Sequence, residues 1–104
     1  MIKVSVMYPY AEGVRFDHDY YREQHMPMVK ARLGDAVRSY TIDKGLGGGA
    51  PGQPPAFVGM CHLYCDSVEA FQAAMAPHAK EIMGDVRNYT DARPLMQVSE
   101  VVVG

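Results

Sequence analysis

The chain has 104 residues, 48% of them hydrophobic, and a formal charge of −2. That suffices for one domain, residues 1–104, with a core that needs no metal or disulfide, and the lack of a Lys/Arg cluster argues against a nucleic acid or an anionic membrane as partner. No run approaches the roughly 18 to 20 apolar residues of a membrane span and the N-terminus lacks a signal-peptide apolar core, so the expected location is cytoplasmic.

Residues 2–8 alternate Ile2, Val4, Val6 and Tyr8 with Lys3, Ser5 and Met7, the period of a strand ending at Pro9. After Ala11-Glu12-Gly13, Asp17 is an N-cap and Asp19 a favourable first-turn acid, opening a helix that runs to Leu33 before Gly34. Pro27 lies inside that helix, and is expected to kink it or restart it just beyond His25. Residues 36–44 have the β propensity of a second strand. The glycine- and proline-rich run from Gly45 to Pro55 then holds neither helix nor central strand and reads as a mobile connection or a lid. Its formal G-x-G-x-x-A pattern is followed by prolines where a nucleotide-binding helix would start, and no P-loop lysine is present, so no nucleotide cofactor is expected.

Residues 56–65 form a third strand. Asp66-Ser67-Val68-Glu69 offers an N-cap and a capping-box glutamate for a helix through Met75, and a second helical piece starts at Pro77, with Ile82, Met83 and Val86 on its apolar face. Residues 94–103 close the chain as a fourth strand. The order βαββαβ with right-handed crossovers predicts an α+β, ferredoxin-like fold: a four-stranded antiparallel sheet with both helices on one face. The other face is then uncovered, and packing it on a second copy would hide it, so a homodimer is expected in which two sheets form a shared barrel.

Both cysteines of the chain, Cys61 and Cys65, fall in the third strand, where four residues extend about 13 Å, beyond disulfide reach. They should be buried thiols. His62 between them points to the opposite face, so Cys-His-x-x-Cys cannot converge on a zinc ion, and no metal site is expected.

The strongest candidates for chemistry are Tyr21 and His25, one helical turn apart on a common face. A phenol beside an imidazole suits proton transfer, with His25 as acid or base and Tyr21 as hydrogen-bond partner; the competing readings are a hydrogen-bonded structural histidine and a core tyrosine. Asp17 and Asp19 are better explained as capping residues. Eight methionines suggest either ordinary core filling or a pliable apolar pocket for a small hydrophobic or aromatic ligand. On the pocket reading Tyr8, Met28, Met60, His62 and Met83 are candidate ligand-binding residues, His62 only if its sheet face meets the helices. His18 and His78 are expected at the solvated surface. No activated serine or cysteine nucleophile is apparent.

Several segments resemble the EthD family of the dimeric α+β barrel superfamily, named for a protein of ethyl tert-butyl ether degradation. They are Phe16-Asp17-His18-Asp19-Tyr20-Tyr21, His25-Met26-Pro27, the run from His62 to Phe71, Tyr89-Thr90-Asp91 and Val98-Ser99-Glu100-Val101, and together the likeness covers nearly the whole chain. Cys65 departs from the phenylalanine common among relatives. The resemblance implies a single EthD-like domain whose pocket lies between the sheet and the helices. Family members sit beside degradation genes, while ether cleavage itself is attributed to a cytochrome P450 system. Wider relatives include cofactor-independent monooxygenases, cyclases and isomerases. The resemblance therefore implies either a cofactor-free enzyme acting on a hydrophobic carbonyl or phenolic compound, by proton transfer or oxygen insertion, or a non-catalytic ligand-binding accessory protein.

Overall fold

A computed structural model describes residues 1–104. Strands β1 (Ile2–Pro9), β2 (Val37–Lys44), β3 (Phe57–Cys65) and β4 (Leu95–Glu100) form one antiparallel sheet in the order β2-β3-β1-β4. Helix α1 (residues 18–33) connects β1 to β2. Helices α2 (Val68–Met75) and α3 (Ala79–Gly84) connect β3 to β4, joined by a 3-10 turn over Ala76–His78. This is the expected ferredoxin-like α+β fold.

Alternation along the strands sorts the side chains by face. Val4, Tyr8, Cys61, Leu63 and Cys65 point to the helices and pack with Val29, Leu33, Phe71 and Ile82 in the buried core. Both cysteines are free and buried, as their place in one strand required. The opposite face differs from the expected apolar surface. There Ser5 pairs with His62 and Gln97, and Thr41 with His62, so polar groups are interspersed with Met7, Met60 and Leu95. Met60 and His62 belong to this face because they are one residue out of phase with Cys61 and Leu63.

Helix α1 opens as expected, with the Asp17 carboxylate accepting from the Tyr20 amide at 3.0 Å. Of the two outcomes expected at Pro27, a kink or a restart just beyond His25, the structure has the second: a π-helical turn covers Tyr21–His25, in which the Met26 amide donates to the Tyr21 carbonyl, and α-helix resumes over Met26–Leu33. Pro27 falls at the start of that last segment, and His25 and Met26 keep ordinary helical dihedrals. The π-turn thus accommodates the proline without breaking the helix.

Within the expected Asp66–Glu69 run the N-cap of α2 is Ser67, whose hydroxyl accepts from the Ala70 amide at 3.1 Å, which puts Glu69 one residue short of the capping-box position. Asp66 instead pairs with Arg38 at 2.6 Å. Strand β4 stops at Glu100, three residues short of expectation, and Val102 and Val103 are exposed. Residues 45–55 form a connection with internal bonds from the Gly48 amide to the Gln53 carbonyl at 3.0 Å and from the Gln53 amide to the Ala50 carbonyl at 3.2 Å, and the Gly45 amide ties it to Val58 of β3 at 3.0 Å. Gly45 has no room for a side chain, since a Cβ there would lie 2.1 Å from the Phe57 carbonyl oxygen.

Candidate functional site

The π-turn buries Tyr21 and His25 together, with their rings stacked at 5.4 Å between centroids. A second segment meets them. The residues preceding α1 are clamped to the chain after α3 by a bridge between Phe16 and Thr90 and by the Asp17 amide donating to the Tyr89 carbonyl at 2.7 Å. That clamp places the Tyr89 ring 4.6 Å from His25, and the 3-10 turn before it presents Asp85 to the other side of the imidazole.

The result is a hydrogen-bonded row. His25 Nδ1 lies 2.8 Å from Asp85 Oδ2, and His25 Nε2 lies 3.4 Å from the Tyr89 hydroxyl, which is 2.6 Å from the Tyr8 hydroxyl. Asp85 Oδ1 also accepts from Tyr20 Oη and Asn88 Nδ2, each at 2.8 Å. Burial pushes Asp85 up, but the three hydrogen bonds outweigh it and hold the carboxyl below its usual range. Burial lowers the pKa of His25 more than Asp85 raises it, so the imidazole is neutral near pH 7. A neutral ring that donates from Nδ1 to the carboxylate has a lone pair at Nε2, facing the tyrosines.

Desolvation dominates the phenols as well. It pushes Tyr8 up to about 12 and raises Tyr21 and Tyr89 further, so all three are protonated donors. The Cys61 thiol, raised to about 11 by burial, is likewise neutral. Tyr21 Oη is the exception in an otherwise bonded cluster: it is fully buried and lies near Cys61 and Tyr8, yet forms no hydrogen bond of acceptable geometry.

These groups border a cavity of about 110 Å³ between the sheet and the helices. Tyr8, Tyr21, His25 and Met83 line it, with Cys61, Phe71 and Ile82 among its apolar walls. Three other candidate residues lie elsewhere. Met60 and His62 are on the far side of the sheet, and Met28 faces a polar surface hollow beside Gln24 and Glu81. No residue of the 45–55 connection lines the cavity, so its position gives no support to a lid. His18, expected at the surface, is half-buried with Nε2 3.2 Å from the Val58 carbonyl oxygen.

Sequence reasoning missed Asp85 and Tyr89, which lie in irregular turns where no periodicity assigns a face. Seven tyrosines and no tryptophan were the available hint of a hydroxyl network. It also missed a second row, on the helix-free face: Ser5 Oγ lies 2.7 Å from His62 Nδ1, and His62 Nε2 lies 3.0 Å from Asp43 Oδ2. Although this contains the residues of a nucleophile triad, β1 is paired on both edges, so the backbone amides around Ser5 are committed to the sheet and offer no oxyanion site.

The family model for the EthD domain matches residues 13–93. The chain belongs to the EthD family. It is similar to an EthD-like protein from Ralstonia eutropha JMP134, with 65% identity, a TM-score of 0.95, and coverage of 98% of this chain and 92% of that one. An ethyl tert-butyl ether (EthD) family protein from Bacillus halodurans C-125 has 22% identity and a TM-score of 0.71 over 96% of this chain and 97% of its own. A dimeric ferredoxin-like protein of unknown function from Thermobifida fusca YX shares the fold, with 13% identity and a TM-score of 0.54 over 93% and 87% of the two chains. A search of curated proteins found no match. No helix is long and apolar enough to cross a membrane.

Proposed function

We propose that this EthD-family protein is a metal- and nucleotide-independent enzyme that moves a proton on a small hydrophobic compound bearing a carbonyl or phenolic oxygen. The observation that carries this reading is a neutral, carboxylate-paired imidazole on the wall of an apolar cavity. His25 Nε2 removes a proton from the carbon adjacent to the substrate carbonyl, and the electron pair moves onto the oxygen to give an enolate. The imidazolium formed is stabilised by Asp85 and returns the proton to the same or a conjugated carbon. The same base, applied to a phenol O–H, would give a phenolate that passes electrons to dioxygen, one oxygen atom entering the ring to give a quinone and the other leaving as water, with all the electrons drawn from the substrate.

The test is hydrogen–deuterium exchange at the α-carbons of small cyclic ketones, followed by NMR. Acceleration over buffer that falls by about a hundredfold or more in His25→Gln is the expected result. Exchange at the buffer rate by wild-type protein that binds the ketone would favour the second reading, a ligand-binding accessory protein, which the apolar cavity alone would serve.

The proposal takes residues 1–104 as one cytoplasmic domain acting as a homodimer joined through the helix-free face. Met7, Met60 and Leu95 on that face, and the dimeric relative from Thermobifida fusca, support this assembly. Sedimentation equilibrium should then give twice the mass of the chain, and a monomer at micromolar concentration would refute it.

A further inference from the structure

We infer that Tyr20 is a positioning residue for His25, its hydroxyl holding the Asp85 carboxylate on Nδ1 and its ring backing the Tyr89 phenol beside Nε2. The inference rests on the reading of His25 as the base and names the residue that prepares it.

Helix geometry is the first argument. Tyr20 precedes His25 by five residues, a spacing that on a regular α-helix turns two side chains about 140° apart around the axis. The π-turn over Tyr21–His25 closes its backbone bond across five residues instead of four, which brings the two side chains towards one face. Both then reach one carboxylate from its two ends: Tyr20 Oη donates to Asp85 Oδ1, and His25 Nδ1 lies against Oδ2, each at 2.8 Å. The Tyr20 ring also lies nearly parallel to the Tyr89 ring, at 21° with centroids 6.1 Å apart. One residue of α1 thus meets the partners of both imidazole nitrogens.

Chemistry is the second. Tyr20 is half-buried, and apolar packing there would be served by phenylalanine, so what calls for the hydroxyl is its acceptor. The bond acts at both ends. Asp85 holds the Tyr20 phenol above its ordinary range, while burial raises Asp85 and the bonds from His25, Asn88 and Tyr20 outweigh it. All three donors are uncharged, so the pull of the carboxylate on Nδ1–H depends on how many neutral groups share it. A carboxylate fixed in this way keeps the proton on Nδ1 and the lone pair on Nε2, as the base requires. The titratable groups that face His25 are Tyr21 on its own helix and Asp85 and Tyr89 from the chain after α3. Burial keeps both tyrosines protonated, which leaves Asp85 as the charge that governs the imidazole.

The test is imidazole ¹⁵N NMR of wild type, Tyr20→Phe and Asn88→Ala across pH 4 to 8, with α-carbon exchange of cyclic ketones followed over the same range. In Tyr20→Phe the carboxylate has one donor fewer and pulls harder on Nδ1–H. His25 should then titrate about half a pH unit higher than in wild type, with His62 unmoved. Asn88→Ala should shift His25 by less, because the amide it removes is exposed and water takes its place. The acid limb of the exchange rate should move with the Tyr20→Phe titration. In wild type the Tyr20 ¹³Cζ signal should follow His25 with the same midpoint, a readout that needs no variant to fold. A His25 midpoint unshifted or lowered in Tyr20→Phe, an equal shift in Asn88→Ala, or a Tyr20 signal indifferent to His25 would overturn the inference. The titrations need no turnover. A shifted His25 in protein that exchanges no ketone would sink the catalytic reading alone, whereas His25-dependent exchange with an unshifted titration would sink the positioning role alone.

Discussion

His25 and His62 each bridge a carboxylate and a hydroxyl, on opposite faces of one sheet. Asp85, His25 and Tyr89 form the first row and Asp43, His62 and Ser5 the second. The first is enclosed: the side chains of His25 and Asp85 are 4% and 17% exposed, and the cavity opens onto the imidazole. The second lies in a mixed polar and apolar face, with Asp43 47% exposed, and none of its three residues lines that cavity. The same three chemical groups thus have different prospects. Only the first row borders a cavity, and only there can a substrate meet the imidazole nitrogen.

The largest expected contrast comes from removing each carboxylate. Asp85→Ala leaves the buried His25 Nδ1 and the half-buried Tyr20 hydroxyl without their acceptor, while the exposed Asn88 amide turns to water, and should cost about 2 kcal/mol, or roughly 10 °C in Tm. Asp43→Ala removes a half-exposed partner and should cost about 0.5 kcal/mol or less. Thermal unfolding of both variants checks the difference, and equal losses would erase the contrast between the faces.

Tyr21→Phe sharpens it in the other direction. Removing an unbonded buried hydroxyl while keeping the ring should leave the ligand-free protein as stable as wild type or raise its Tm by a few degrees, because nothing bonded is lost. A large fall in Tm would show that Oη has a structural partner in Cys61 or Tyr8.

A smaller effect is expected with pH. The folded pKa of His25 is depressed below the ordinary 6.5, so below that pH the unfolded chain takes up a proton that the folded chain resists. Its contribution to stability is therefore present above pH 6.5 and is lost as pH falls through the window between the unfolded and folded values. Wild-type Tm should decline on acidification from pH 7, and His25→Gln should flatten that part of the curve. The corresponding loss from Asp85, whose folded pKa is also depressed, belongs to lower pH, below the ordinary 3.8.

The fold was legible in the sequence because strand alternation and helix caps are local. Ile2 to Tyr8 reads as a strand by period alone, and Asp17 caps the helix it precedes. The pair Tyr21 and His25 was legible for the same reason, being neighbours on one helix. What was not legible depends on distance in the chain. Asp85 and Tyr89 are 60 and 64 residues from His25 and reach it only through the clamp between Phe16 and Thr90. Met60 and His62 went astray through strand phase: a shift of one residue exchanges the two faces, and β3 presents Cys61 and Leu63 to the helices instead. Pro27 predicts an interruption, but whether it becomes a kink or a π-turn depends on what Tyr21 and His25 pack against.

Imidazole ¹⁵N NMR of wild type across pH 5 to 8, with and without p-cresol, bears most directly on the claim that His25 is a neutral base held open to the cavity. At pH 7 His25 should show an unprotonated Nε2 and a proton on Nδ1, titrate below the ordinary range, and respond saturably to the ligand while His62 stays unchanged. A His25 already protonated at pH 7, or one that responds to the ligand no more than His62, would contradict it.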